Sequence, residues 1–598
     1  MDAKSRSRRA RWTGRRRLAV QLALAGLLCG LPGARGASAE SWEWGELRAS
    51  VDSFFSVSTS IRAQDRDCRF VATANGGCSG KVGPIPELDA TEGALVNGDD
   101  GNLNWNDGDV FSVLTKGSHD IQLDWRNYGA FLRFNYFFDP MLNDESNTRR
   151  TDLRSEARQR DAVFEGGVVG RQFLLLDAYL YADFDVADRY FDVRVGNQVL
   201  SWGESIFIQG GINAINSIDV SKIRLPGSEL KEALAPAPIA RVSGDLVGSL
   251  SFEAYYQFGW RRTQLDPVGT FFSTSDLVGR GTDGFFTGCG DRGTNPQNVD
   301  PFLCGFVLQK TEYPFRGNEP ASDQGQWGAA LRYYIDALET ELGVYYIRLH
   351  DKYPTVSFKG TTLDDLGYIN EYPEQIDLYG FSFNTLVAGI AVGGEVSYRQ
   401  NQPTPITGDP GRSLPGFQQL LADVAAGGPG GKVEGSVRED RIVAILNGLY
   451  QVGPGTVGVG QLLRAIGASE AIAILEFGVT HYLNFRVPKE FYPTPQGVAA
   501  VDDTGLGYQL RLELTYDRIL GTPLTFKPIL SFRHDLYGIT PPGEAAYNQH
   551  TKQVGVTLEL RYQERFVVTA SYSNSFGGGV RNGNRDRDFA GFSISYAY

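Results

Sequence analysis

The sequence is poor in the features by which most functions announce themselves. Beyond its first forty residues no stretch approaches the ~20 continuous apolar residues that a membrane helix requires, which excludes a helical membrane protein. Only two methionines and five histidines occur. His119, His350, His481, His534 and His550 are scattered, without the H-E-x-x-H spacing of a zinc hydrolase. No G-x-S-x-G elbow and no Walker loop is present. A catalytic pair assembled only in space is the one enzymatic route left open, so we expect neither catalysis nor a cofactor. Cysteine is sparse as well, and none of the five makes the C-x-x-C spacing of a metal or redox site.

What is present begins with an export signal. Eight basic residues between Lys4 and Arg17 precede an apolar run from Leu18 to Leu31, too short to span a bilayer. Ala37-Ser38-Ala39 then forms a small-residue cleavage site. Residues 1–39 are therefore expected to be a cleaved signal peptide, and residues 40–598 the working domain. The leader holds nine Lys/Arg against one acid, so its removal takes the formal charge from −13 to −21. A surface that acidic repels phosphate backbones, and nucleic acid is not an expected partner. Four cysteines remain as two local pairs, Cys68 with Cys78 and Cys289 with Cys304. Each is a candidate disulfide in an oxidising compartment.

The mature chain is rich in glycine, tyrosine and phenylalanine, and its dominant pattern has a period of two. Leu506, Tyr508, Leu510, Leu512, Leu514 and Tyr516 alternate with Gly507, Gln509, Arg511, Glu513 and Thr515. Val554, Val556, Leu558 and Leu560 alternate with Gly555, Thr557, Glu559 and Arg561. Alternation alone also suits a water-soluble sandwich. Connection lengths decide: about eighteen such segments (16–18) are joined alternately by tight turns and long loops, as in a barrel threaded from the periplasm. The fold expected is all-β, a closed antiparallel transmembrane barrel in the outer membrane of a Gram-negative cell, with long extracellular loops. Closure follows because hydrocarbon leaves no solvent for an unpaired strand edge. Phe592, Ile594, Tyr596 and Tyr598 make an apolar face reaching the last residue, the form of signal that barrel-assembly machinery reads. Outer-membrane lipids and that machinery are thus expected partners.

On the opposite face stand Arg133, Arg194, Arg332, Arg511, Glu513, Glu559 and Arg561, all assigned to the lumen with Arg399, Asp192 and Glu395. Their mixed signs suggest cross-strand pairing more than ion selection. A barrel this wide leaves a lumen unless something fills it. Residues 200–235 are the candidate plug or constriction, because Trp202, Ile206, Phe207, Ile208 and Ile212 would sit poorly in an exposed loop. Trp202 and Phe207 are expected to pack inside, and Glu204 to pair with a lumen arginine. Helical periodicity marks short helices within 411–425 and 455–467, the second on the periplasmic side.

Several stretches resemble a known family. Asp100-Gly-Asn-Leu-Asn104, Gly129-Ala-Phe-Leu-Arg133 and the block Arg194-Val-Gly-Asn-Gln-Val-Leu-Ser-Trp-Gly-Glu204 are the first of them. Phe207-Ile-Gln-Gly-Gly-Ile-Asn-Ala-Ile-Asn216 and Pro226-Gly-Ser-Glu-Leu-Lys-Glu232 continue the pattern. Together they are similar to domain-of-unknown-function family 1302 of proteobacterial outer-membrane proteins. That resemblance implies work beside a resistance-nodulation-division transporter and a periplasmic partner, moving a hydrophobic or lipid-like small molecule. An outer-membrane enzyme acting on lipids or esters, and a surface adhesion or scaffold barrel, are the alternatives.

Overall fold

The computed structural model describes residues 40–71, 97–143, 170–224, 230–282, 284–286, 312–406, 417–486, 492–494, 497–499, 501–563 and 565–598. The expected leader, Cys78, Cys289 and Cys304 lie outside them. Eighteen long strands make the wall. The first six are β1 (Leu47–Arg62), β2 (Val110–Trp125), β3 (Tyr128–Phe138), β4 (Arg171–Val186), β5 (Arg189–Gln198) and β6 (Ala237–Val247). Then come β7 (Leu250–Gln257), β8 (Gln326–Ile335), β9 (Thr340–Leu349), β10 (Ile376–Val387), β11 (Ile390–Pro405) and β12 (Ser436–Val452). The last are β13 (Glu470–Leu483), β14 (Thr504–Thr515), β15 (Leu524–Tyr537), β16 (Thr551–Tyr562), β17 (Phe566–Gly577) and β18 (Phe589–Ala597).

Each strand pairs antiparallel with its sequence neighbours, and β18 pairs with β1 from Phe54↔Ala597 to Arg62↔Phe589, which closes the ring. The lower part of β1 has a different partner on that side: Glu40–Trp44 folds back through a turn at Gly45 and pairs with Leu47–Val51. Tight turns join the strands at one rim, as at Ala388-Gly389, where both residues have positive φ (51° and 81°) in the sense that suits a twisted hairpin. The turn at Gly45 and the C-terminal end of the chain lie at this rim.

Alternation sorts the side chains as the period predicts. Leu123, Phe173, Leu180, Val195, Leu331, Phe381, Val396, Leu446, Phe477 and Leu558 are exposed on the outer surface. Trp125, Tyr128 and Tyr562 flank them near the tight-turn rim, and Tyr136, Trp327, Tyr379 and Tyr572 towards the other. Such a continuous apolar belt far exceeds the patches that water tolerates, and its aromatic borders fit the two bilayer interfaces. This is an outer-membrane β-barrel.

The exception to the tight turns, between β12 and β13, carries a helix, α1 (Val459–Ile466). Its Leu463 packs with Val452, Tyr450, Leu514 and Tyr516, residues of the outward-facing register. The helix therefore lies on the outside of the wall, and Val459, Leu462 and Ile466 on its remaining apolar stripe are exposed. At the long-loop end the sequence pattern had marked a helix within 411–425 and no strands. There the structure has a five-stranded sheet of Gly284–Phe286, Glu312–Glu319, Gly367–Glu371, Thr355–Gly360 and Gly431–Val433. The helix Phe417–Ala425 packs on it through Leu420, Leu421 and Val424, around Phe358 and Tyr368.

Candidate functional site

The connection from β5 to β6 does not stay outside the barrel. Trp202 is only 1% exposed, wedged between Tyr255 of β7 and Tyr345 of β9 with ring centroids 5.2 and 5.8 Å away. Further along, Ile212 lies over Gly380 of β10, and Ile208 over Gly478 of β13 and beside Val443 and Ile445 of β12. Residues 202–212 thus run across the inner wall from β7 to β13. Inward glycines make the trough: a Cβ at Gly328 or Gly380 would come within 3.0 Å of Trp202 or Ile212. Phe207 is half-buried here, and Ile206 is exposed towards the lumen.

An irregular segment in this place has backbone donors and acceptors that no ladder satisfies. Two wall carboxylates take the donors. Glu395 of β11 accepts from the N–H of Glu204 (2.5 Å), Ser205 (3.2 Å) and Ile212 (2.8 Å). Glu476 of β13 accepts from Ile206 (2.6 Å), Phe207 (2.8 Å) and Ile208 (2.7 Å). Cations take the acceptors: Arg399 donates to the Gly211 carbonyl (3.1 Å) and Lys352 to that of Ala214 (3.0 Å). Asn447 donates to the Glu204 carbonyl at 2.6 Å. Charge-assisted bonds are the stronger kind, so the segment is fastened at both signs of its backbone dipoles.

The expected partner of Glu204 is corrected. Its carboxylate accepts from Asn384 Nδ2 at 2.8 Å rather than from an arginine, because Arg332 is taken by Glu253 at 3.0 Å. Burial raises the Glu204 carboxyl above its ordinary value. A second inward connection, between β15 and β16, meets the first. A Cβ at Gly210 would touch Glu544 and Ala545, and Arg399 donates to Glu544 at 2.8 Å. Burial alone would raise the Glu544 carboxyl, but Arg399 and Arg441 hold it below the ordinary carboxylate range.

The remaining lumen charges pair across strands. Arg133 bridges Asp120 (2.8 Å) and Asp177 (3.0 Å). Arg194, Asp192, Arg241, Glu253 and Arg332 form one chain of contacts from β5 to β8. Arg511 and Lys527 share Glu513, and Arg561 lies 2.8 Å from Glu559. Neighbouring opposite charges hold the register and leave no single-sign ladder among these residues. Cys68 is disulfide-bonded.

Sequence reasoning placed Glu395 in the lumen but overlooked Glu476, Lys352 and Glu544. Glu476 carried a signal: an acid on an inward face whose next inward residue is Gly478, which has no side chain.

An eighteen-stranded membrane barrel with two inward-folded connections is thus the class of protein defined here. The chain belongs to the DUF1302 family, described as a protein of unknown function, whose model matches residues 18–598. No curated protein matches it. Among solved structures it is similar to Pseudomonas aeruginosa OccK9 (OpdG), at 10% identity over 92% of this chain and 98% of that one, with a TM-score of 0.38. A BenF-like porin from Pseudomonas fluorescens Pf-5 shares 8% identity over 92% and 98%, with a TM-score of 0.37. The outer membrane channel DcaP of Acinetobacter baumannii shares 9% over 94% and 100%, at 0.34.

Proposed function

We propose that the protein is an outer-membrane channel for a hydrophobic or lipid-like small molecule, with residues 200–235 as its constriction. The observation that carries this is the fastening of residues 204–212 across the inner wall by Glu395 and Glu476. A loop that merely capped the barrel would have no use for two desolvated wall carboxylates, whose burial is costly unless they are fully hydrogen-bonded. Paired lumen charges leave little net attraction for free ions, which suits an uncharged cargo. Cooperation with a resistance-nodulation-division transporter and a periplasmic protein rests on the family resemblance. Removing residues 203–225 should raise single-channel conductance in planar bilayers, and unchanged conductance would sink the constriction. A strain lacking the protein should accumulate, or fail to take up, a lipophilic compound.

One contact supports a second reading, an enzyme acting on lipid esters. Ser53 Oγ lies 2.9 Å from His119 Nδ1 on the lipid-facing side. The other ring nitrogen faces Tyr136 Oη at 3.5 Å instead of a carboxylate, and Phe134 and Phe55 pack on the ring. We read the pair as a satisfied polar contact. Esterase activity of the refolded barrel that Ser53→Ala abolishes would reverse that ranking.

A further inference from the structure

Above the constriction, at the long-loop end, lies a cavity of about 90 Å³ that the channel reading leaves without a role. It is bounded by the inner faces of β2 and β3, by the later part of the β5–β6 connection around Lys222 and Glu232, and by residues 264–272. That is several times the ~10–15 Å³ that one water needs, and it suits a small aromatic molecule rather than a larger one. Its walls are apolar and largely aromatic: Phe111, Leu114, Phe137, Leu265, Phe271 and Phe272. Phe111 stacks on Phe271 at 4.1 Å, and Phe272 sets its edge against both rings. This rigid aromatic corner presents a flat apolar surface.

The polar groups of the lining divide into two kinds. The charged ones are engaged. Lys116 pairs with Glu232, Lys222 lies 3.3 Å from Asp219, and Asp266 lies 2.8 Å from Arg224. Asp139 accepts from Ser112 Oγ (2.5 Å) and from the N–H of Met141 (2.9 Å) and Val113 (3.2 Å). Arg280 is engaged too. Asn135 is of the other kind. It is 5% exposed and its side-chain carbonyl oxygen is buried with no hydrogen-bond partner. Such an acceptor is costly to leave unmet.

We propose that this cavity is a binding site for an uncharged, largely apolar molecule carrying a hydroxyl group. Its apolar body would lie against the Phe111–Phe271–Phe272 corner, and its hydroxyl would donate to Asn135 Oδ1. A charged ligand is disfavoured, since it would have to break an existing pair or stay desolvated beside one. The inference deepens the proposed function and rests on it for one point only, that the bound molecule is cargo waiting ahead of the constriction.

The probes are 1-naphthol, 1-naphthoate and naphthalene, titrated calorimetrically into the mature barrel in lipid nanodiscs, with empty nanodiscs as the reference. We expect saturable one-site binding of 1-naphthol and at least tenfold weaker binding of 1-naphthoate. Asn135→Leu should weaken 1-naphthol at least fivefold and leave naphthalene unchanged. Leu265→Trp, which fills the cavity, should abolish both, with heat-modifiable gel migration reporting that each variant is folded. Partition into the bilayer only, equal affinity for naphthol and naphthoate, or full binding by a folded Leu265→Trp variant would overturn the site. The channel reading fails separately: naphthol binding with unchanged conductance after loss of residues 203–225 keeps the site and removes its role as a waiting place.

Discussion

The Glu395 carboxylate accepts the N–H of Ile212 at 2.8 Å while lying so close to Gly211 that a Cβ there would overlap it. Replacing Gly211 by valine therefore has to push residues 203–212 off the wall. Each charge-assisted bond lost would cost roughly 1.5–3 kcal/mol. We expect Gly211→Val to fold with a lowered urea midpoint and to conduct more than the wild type in planar bilayers.

Glu476 tests the same fastening from the other end. Glu476→Gln keeps an acceptor oxygen and should soften the contact with Ile206, Phe207 and Ile208. Glu476→Ala removes it and should give larger, more frequent current fluctuations. Identical traces from the two variants would show that the three N–H bonds do not hold the segment.

Lys352 supplies a pH test. Burial beside Ala214 lowers its pKa from the ordinary value to about 8, although Glu544 and Asp351 oppose the shift and only Arg399 adds to it. Between about 8 and the ordinary lysine value near ~10.4, the unfolded chain binds more protons than the folded one. The destabilising contribution is thus full below pH 8 and is relieved as pH rises through that window. Stability of the wild type relative to Lys352→Met should therefore climb from pH 7.5 to 10.5 in urea melts. A flat difference would mean that Lys352 titrates normally.

The outward position of α1 predicts a lipid contact. Tryptophan in place of Leu462 should be quenched by brominated acyl chains in the vesicle, and tryptophan in place of Gln461 quenched less. Equal quenching would move the apolar stripe away from the bilayer interface.

Oxidation state can be read by mass spectrometry of non-reduced peptides. The spectrum should show Cys68 linked to Cys78 and Cys289 to Cys304. A link between the two loops would replace that pairing.

The wall was legible because each strand has one lipid face and one aqueous face, which writes the period-two pattern into residues such as Val554–Tyr562. Its eighteen strands match the number expected, joined alternately by short and long connections as the segment spacing required. The five-stranded outer sheet was not legible. Its strands are short, and in Gly367–Glu371 four of the five residues are buried regardless of parity, so no alternation survives. Trp202 was readable as an internal anchor because nothing else in an exposed connection would shelter an indole. Glu476 was harder to single out, since one more charge on a polar strand face looks like every other. What distinguishes it is a set of backbone amides about 270 residues away.

The seam beside β1 has a consequence of its own. Along one edge β1 gives Phe54–Arg62 to the last strand and Leu47–Val51 to the segment Glu40–Trp44. Glu40–Trp44 and the last strand are thus laid end to end along one shared rail. Removing either segment bares a stretch of that rail to lipid, so losing Glu40–Trp44 would damage the ring as surely as losing the aromatic tail at Tyr598.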